Sequence, residues 1–128
     1  MSDIFTVEII SPDQTIFKKE ATEVTIPSYE GQMGILNNHI PLITFLRPGI
    51  ITIRSKVEKK FYVEEGTVEF SNNNLLILTS TAKDLANFDK ALINDLIKKA
   101  ESQLNNKDFT DKDRYVVSYK IETLREIS

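Results

Sequence analysis

Cysteine is absent from the 128-residue chain. That excludes disulfides, thiolate metal sites and thiol catalysis, and it fits a reducing compartment. Histidine occurs once, as His39. A zinc site would need carboxylates for its other ligands, and no spacing suggests them. A serine triad would have to use His39, and no nucleophile-elbow pattern accompanies it. No catalytic residue and no metal site is therefore expected, and His39 reads as a turn or interface residue beside Ile40 and Pro41. Long apolar runs are missing too: Leu75-Leu76-Ile77-Leu78 falls far short of the roughly 20 residues a membrane-spanning helix needs. No direct membrane insertion is expected. The opening Met-Ser-Asp-Ile-Phe has neither a basic region nor a long apolar one, so no signal peptide is expected. Basic residues are not in excess, with 16 Lys and Arg against 19 Asp and Glu, which leaves no bulk electrostatic support for nucleic-acid binding. A phosphate loop is also lacking. Gly31-Gln32-Met33-Gly34 has neither the lysine and hydroxyl pair nor the G-x-G-x-x-G spacing, and its glycines read as turn or bulge positions.

What remains is ordinary for a globular chain, 41% hydrophobic and 27% charged, and suits one domain or a small domain with an appendage. The pattern changes character near Asn87. Before it, Phe5, Val7 and Ile9 alternate with Thr6 and Glu8. Glu23-Val24-Thr25-Ile26 and Lys60-Phe61-Tyr62-Val63-Glu64 alternate as well. Period-2 alternation puts one face in a core and one in water. Turn signals separate these runs: Ser11-Pro12-Asp13, Pro27-Ser28, Asn37-Asn38, Arg47-Pro48-Gly49, Glu65-Gly66 and Asn72-Asn73-Asn74. All four glycines and all four prolines fall in this half. Residues 1–86 are predicted to form an all-β sandwich. Glu64, Glu65 and Glu69, near Lys59 and Lys60, read as a solvated strand face.

From Asn87 the period is helical. Phe88, Leu92, Leu96, Ala100 and Leu104 recur at steps of four, with Ala91 and Ile97 widening the stripe. Asn87 is the expected N-cap and Asp89 lies in the expected first turn. Asn105-Asn106-Lys107-Asp108 breaks this helix. A second is predicted from Thr110 as cap, with Arg114, Val117, Ile121 and Leu124 on one face. So short a loop predicts an antiparallel two-helix hairpin over residues 87–128, making the fold class mixed. Two short helices bury little between themselves and are marginal alone, so the hairpin must lean on the sandwich, on a partner, or on each in turn. From these patterns alone, three readings stay open: a partner-binding subunit, a free-standing sandwich module using the hairpin as a docking arm, and a small enzyme with a carboxylate site in a deep pocket.

One segment is more specific. Gly31-Gln32-Met33-Gly34-Ile35-Leu36-Asn37-Asn38-His39-Ile40-Pro41-Leu42-Ile43-Thr44, followed by Leu46-Arg47-Pro48-Gly49-Ile50, resembles the epsilon subunit of bacterial F-type ATP synthases, called delta in mitochondria. That family carries G-x-x-G-I-L-P-x-H-x-P-L-[VI]-T and then L-x-P-G. Phe5-Thr6-Val7-Glu8-Ile9-Ile10-Ser11-Pro12 is similar to its first strand. Tyr62-Val63-Glu64-Glu65-Gly66 with Val68-Glu69-Phe70 is similar to its GG-x-x-E-V region, with Glu65 replacing the first glycine. Leu75-Leu76-Ile77-Leu78-Thr79 with Ala82 is similar to its last strand.

The resemblance implies a flattened β-sandwich with a C-terminal helical hairpin. It implies a non-catalytic central-stalk subunit that turns with the rotor and couples proton flow to ATP synthesis. Its implied partners are the gamma subunit and the c-ring, and also the alpha/beta catalytic head if the hairpin extends. The implied location is the cytoplasmic face of a bacterial plasma membrane, peripherally. Ser11, His39 and Thr44 fall at positions tied to gamma contact. Gln32 falls where the family often places a carboxylate toward the c-ring, so a neutral amide replaces a charge-assisted contact. The family's nucleotide motif, I-D-x-x-R-A, reads Phe88-Asp89-Lys90-Ala91-Leu92-Ile93 here. Asp89 and Lys90 are its remnant. Leu92 replaces the arginine that would fork a phosphate, so no ATP and no other cofactor is expected. Inhibition of hydrolysis in the family uses basic residues on the second helix. Lys112, Arg114, Lys120 and Arg125 are present, but Asp111, Asp113, Glu122 and Glu126 offset them, which predicts weak electrostatic steering.

Overall fold

Alternating apolar residues build ten short strands, which the computed structural model describes over residues 3–128. Met1 and Ser2, where the signal-peptide reading begins, lie outside the described residues. The strands are β1 (Phe5–Ile10), β2 (Thr15–Ala21), β3 (Glu23–Ser28), β4 (Gly31–Leu36), β5 (Leu42–Leu46), β6 (Gly49–Arg54), β7 (Glu58–Val63), β8 (Gly66–Ser71), β9 (Asn74–Leu78) and β10 (Lys83–Asp84). One layer runs β5-β8-β9-β1-β2, and the other holds β4, β3, β6, β7 and β10. They join where Ser28 pairs with Leu46. All neighbours are antiparallel except β1 and β9. The chain folds over so that Val7, Ile9, Leu75 and Ile77 share a core with Ile51, Ile53, Phe61 and Val63. Phe17 of β2 meets Phe61 of β7 edge to face at 5.6 Å, closing the far edges.

Most turn signals sit where they were expected. Asn72 and Asn73 both take positive φ, 53° and 55°, in a two-residue hairpin closed by the Ser71–Asn74 pair. Asparagine tolerates that left-handed geometry, which matches the strand twist. The Pro27-Ser28 signal is displaced: both residues lie within β3, paired with Gln32 and Gly31, and the turn falls on Tyr29 and Glu30. The Pro27 carbonyl still receives the Arg47 N–H at 3.0 Å. Of the glycines in 31–34, Gly31 has φ 120° at the turn. Gly34 instead pairs in regular register with Thr25, and a Cβ there meets nothing nearer than Glu23 Oε2 at 3.9 Å, so nothing in the structure demands glycine at that position.

Two helices follow, α1 (Lys90–Gln103) and α2 (Asp111–Ile127). Asn87 is not the cap. It ends a 3₁₀ turn over Leu85–Asn87, and Phe88 remains extended, with its ring against Tyr62 at 5.4 Å. Packing of Phe88 delays the helix, and Asp89 caps it by accepting the Ala91 N–H at 3.1 Å. The buried stripe of α1 shifts accordingly. Ile93 and Ala100 are buried, Leu96, Ile97 and Leu104 are half-buried, and Leu92 and Ala91 are exposed. Thr110 caps α2 in a reciprocal capping box with Asp113, satisfying two otherwise free N–H groups. Val117, Ile121 and Leu124 are buried as expected. Arg114 is exposed and donates to the Leu104 and Asn106 carbonyls at 2.8 and 3.5 Å. Its bond to Leu104 satisfies the C-cap carbonyl of α1, and its bond to Asn106 adds a second contact in the loop.

The hairpin is folded down on the outer face of β6 and β7. Tyr62, Ile93 and Leu124 form a second core with Ile50, Leu96 and Ile97 around them. Alternation therefore misleads at β7: Phe61, Tyr62 and Val63 are all buried, because Phe61 and Val63 face the sandwich core and Tyr62 faces the helices.

Candidate functional site

Two surfaces concentrate the chemistry of the described residues. The first is the outer face of β5 and its neighbours. Register sets Glu69 between Ile43 and Leu76, and Thr67 between Phe45 and Leu78, on one face of β5, β8 and β9. Ile43 is 74% exposed, Phe45 60% and Leu78 45%. An apolar strip on one sheet face marks an interaction surface more surely than scattered single residues do. Thr44, between Ile43 and Phe45, points the other way: it is buried and pairs with Val68. Contact with another molecule along β5 thus falls to its two neighbours.

Ser11 and His39 lie at opposite ends of the same layer. Ser11 is in the β1–β2 turn, where its hydroxyl donates to the Gln14 carbonyl and accepts the Gln14 N–H, at 3.1 and 3.2 Å. His39 precedes β5. Its Nδ1 lies 2.8 Å from the Ile40 carbonyl, which can only accept, so Nδ1 carries the proton. Its ring stands edge to face on Phe70 at 6.0 Å. Gln32 is on the other layer, exposed on β4. It lines a cavity of about 240 Å³ with Arg47, Tyr119 and Glu122. The four residues are thus distributed around the sandwich rather than gathered in a pocket.

The second surface is internal, between hairpin and sandwich. Glu64 is held at its backbone by Thr81, whose hydroxyl oxygen accepts the Glu64 N–H at 2.9 Å. Its carboxylate accepts the Tyr62 hydroxyl at 3.0 Å and pairs with Lys120 of α2 at 3.2 Å. Glu64 is therefore not on a solvated strand face as the alternation suggested. Glu69 is, on β8, whereas Glu65 is exposed in the β7–β8 turn. Arg47 lays its guanidinium over the Tyr119 ring at 4.1 Å and donates to the Pro48 carbonyl at 2.9 Å. Sequence reasoning missed this cluster. Its signal is the pair of short apolar runs Gly49–Ile51 and Phe61–Val63, which mark strands covered on both faces.

Several charges are already engaged. Arg125 pairs with Glu101 at 2.6 Å, and Lys120 and Arg114 are committed as described. Lys59 pairs with Asp84. That lysine first, then the Ala86 N–H, holds the Asp84 carboxyl below the usual range despite some burial. Asp89 spends its carboxylate on the α1 cap, and Lys90 is exposed beside it. Among the described residues no group of three His, Cys, Asp or Glu side chains is placed to hold a metal ion. No helix among them is long and apolar enough to cross a membrane.

Comparison with known proteins gives a consistent picture. A family model for the ATP synthase delta/epsilon chain β-sandwich domain matches residues 4–84. The ATP synthase epsilon chain of Pelagibacter ubique is 46% identical over 130 residues, spanning 100% of both chains. That of Rhodopseudomonas palustris is 33% identical over 113 residues, covering 88% of this chain and 84% of the relative. The mitochondrial ATP synthase subunit delta of Schizosaccharomyces pombe is 36% identical over 101 residues, covering 76% of this chain and 60% of its own. Among solved structures, a chain of the Euglena gracilis mitochondrial ATP synthase superposes with a TM-score of 0.81 at 20% identity, covering 98% of this chain and 82% of that one. A chain from the Tetrahymena thermophila central stalk and c-ring gives 0.60 at 18%, covering 95% and 92%. At such identities the two superpositions speak for the fold.

Proposed function

The chain belongs to the ATP synthase delta/epsilon family, and on that premise we propose that it is a central-stalk subunit whose β5 face seats the gamma subunit. It is not an enzyme by itself. It works as part of the rotor that couples proton flow to ATP synthesis, with gamma and the c-ring as partners.

The observation that carries the assignment of the face is the apolar strip of Ile43, Phe45 and Leu78, left uncovered on a layer whose opposite side is a filled core. Ser11 and His39 flank that layer and belong to the gamma contact in this reading. Thr44 acts indirectly, by anchoring β5 so that Ile43 and Phe45 face outward. Gln32 meets the c-ring through hydrogen bonds without a charge. The complex lies peripherally on the cytoplasmic face of a bacterial plasma membrane.

The docked hairpin bears on regulation. Lys120, Arg125 and Arg114 all have internal partners in this form, so contact with the alpha/beta head requires the hairpin to extend and release them. No nucleotide cofactor takes part: the motif has lost its arginine to Leu92, and Asp89 serves as a helix cap.

The test is co-elution of the purified chain with gamma. The wild-type chain is expected to form a stable complex, and Phe45→Asp, which puts a charge in an apolar contact, is expected to abolish it. Failure of the wild-type chain to bind gamma sinks the rotor assignment. Undiminished binding by Phe45→Asp moves the gamma contact to another face.

A further inference from the structure

The apolar strip on β5 does not end at the edge of the sandwich. A cavity of about 630 Å³ is lined by Tyr29, Phe45, Glu65 and Leu78 and, from the hairpin, by Lys112. It is the place where the outer face of the β5 layer meets the N-terminal turn of α2. Tyr29 is 42% exposed and Tyr115, one turn along α2 from Lys112, is 48% exposed.

A continuous set of contacts joins the two parts. The Tyr29 N–H reaches the Phe45 carbonyl at 3.4 Å, and the Arg47 N–H reaches the Pro27 carbonyl at 3.0 Å. The Arg47 guanidinium lies on the Tyr119 ring, and Tyr119 meets Tyr115 edge to face at 4.8 Å with their hydroxyls 3.0 Å apart. Tyrosines with one apolar face and one polar tip are the residues most often found carrying interface energy. Glu65 and Lys112 give the cavity a charged border, as interface rims have.

We propose that the gamma-binding surface is composite: it crosses this cavity onto the docked hairpin, with the Tyr115 ring as its outlying contact, so gamma binding and hairpin docking stabilise one another. The proposal rests on the assignment of the β5 face to gamma. Its occupant is gamma because the cavity is continuous with that face and shares Phe45 and Leu78 with it. A partner that touches α2 only when the hairpin is down binds the docked form more tightly and by linkage holds it there.

Full-length variants test this by calorimetric titration with purified gamma. Phe45→Ala and Tyr115→Ala are each expected to weaken binding by about tenfold, the usual effect of removing an interfacial aromatic. Tyr115→Phe keeps the ring and is expected to bind as wild type. Amide exchange across residues 111–127 is expected to slow when gamma is added to the wild-type chain. The same measurement on free Tyr115→Ala is expected to match the free wild type, showing that this exposed substitution leaves the hairpin docked. If Phe45→Ala weakens binding and Tyr115→Ala does not, gamma stops at the sandwich and the composite surface is wrong. If exchange over α2 is unchanged by gamma, the coupling is wrong. If Phe45→Ala binds as wild type, the β5 assignment itself fails.

Discussion

The Nζ of Lys120 on α2 sits 3.2 Å from the Glu64 carboxylate, on the same oxygen that accepts the Tyr62 hydroxyl at 3.0 Å. Both side chains of the ion pair are largely shielded, with 19% and 28% of their surface exposed. Shielding strengthens the attraction and raises the cost of losing either partner. Beneath the pair, the Tyr62 ring fills the space between Ile93 and Leu124. Docking of the hairpin thus combines an apolar contact with a charge pair that closes over it.

Removing either charge should loosen the hairpin without unfolding the sandwich. Lys120→Met keeps the aliphatic stem but leaves Glu64 with Tyr62 alone. A loss of about 1–2 kcal/mol is expected, between an exposed pair and a fully buried one. Amide exchange over α2 should accelerate while β1 and β9 stay protected. Glu64→Gln should act similarly, and the double variant should be less than additive. Full additivity would mean that the two side chains do not interact.

Alkaline pH should release the same element. Burial first, then the charge and hydrogen bond of Glu64, push the Tyr62 phenol well above its usual range. Above pH 10 the unfolded chain loses this proton while the folded chain keeps it. The stabilisation is therefore complete below about pH 10 and declines as pH rises beyond it, by about 1.4 kcal/mol per pH unit for one group. Chemical denaturation between pH 9 and pH 12 measures the slope. Tyr62→Phe should remove one group's worth of it, and an unchanged slope in that variant assigns the effect elsewhere.

Legibility in the sequence followed the number of faces a residue must satisfy. Phe5, Val7 and Ile9 face a single core, and their alternation reads directly as β1. The Asn72-Asn73 turn and the Thr110 cap depend on neighbours within a few residues, so they too were readable. Tyr62 serves the hairpin while Phe61 and Val63 serve the sandwich, and period-2 reasoning had no place for a strand buried on both sides. Asn87 had the chemistry of a cap, but the Phe88 contact with Tyr62, distant in sequence, moved the helix start to Asp89. Leu92 fitted a step-of-four stripe and is exposed, because α1 turns its Ile93 side to the sheet. The apolar strip of the candidate site was hidden for the same reason: Ile43 and Phe45 look like core residues until register turns them outward.

Gly66 should tolerate no side chain. Its φ is 156°, and a Cβ would lie 2.6 Å from the Leu78 carbonyl oxygen and 3.0 Å from the Thr79 Cβ. The nearest obstacle is backbone of the paired strand, which cannot swing aside. Gly66→Ala is expected to cost about 2 kcal/mol or more through overpacking and backbone strain. Thermal unfolding checks this, and a loss under about 0.5 kcal/mol, the range of an ordinary surface change, would show that the β7–β8 turn can relax.

Asp89 and Leu92 make opposite predictions about nucleotide and about helix stability, and the two can be separated. The Asp89 carboxylate accepts the Ala91 N–H as the cap of α1. Asp89→Ala should therefore destabilise that helix by about 1 kcal/mol, seen as faster exchange over residues 90–94. If the same carboxylate organised a nucleotide, ATP would also protect those amides in the wild-type chain. It is expected not to, because Leu92 offers phosphate neither charge nor hydrogen bond and the neighbouring Lys90 gives a single, exposed ammonium. A point charge in water attracts phosphate weakly and is screened within about 8 Å at physiological salt. Calorimetric titration with ATP should show no saturable heat at micromolar nucleotide. A saturable micromolar isotherm, together with ATP-dependent protection of residues 90–94, would overturn the reading of Asp89 as a cap alone and return the start of α1 to the binding residues of the protein.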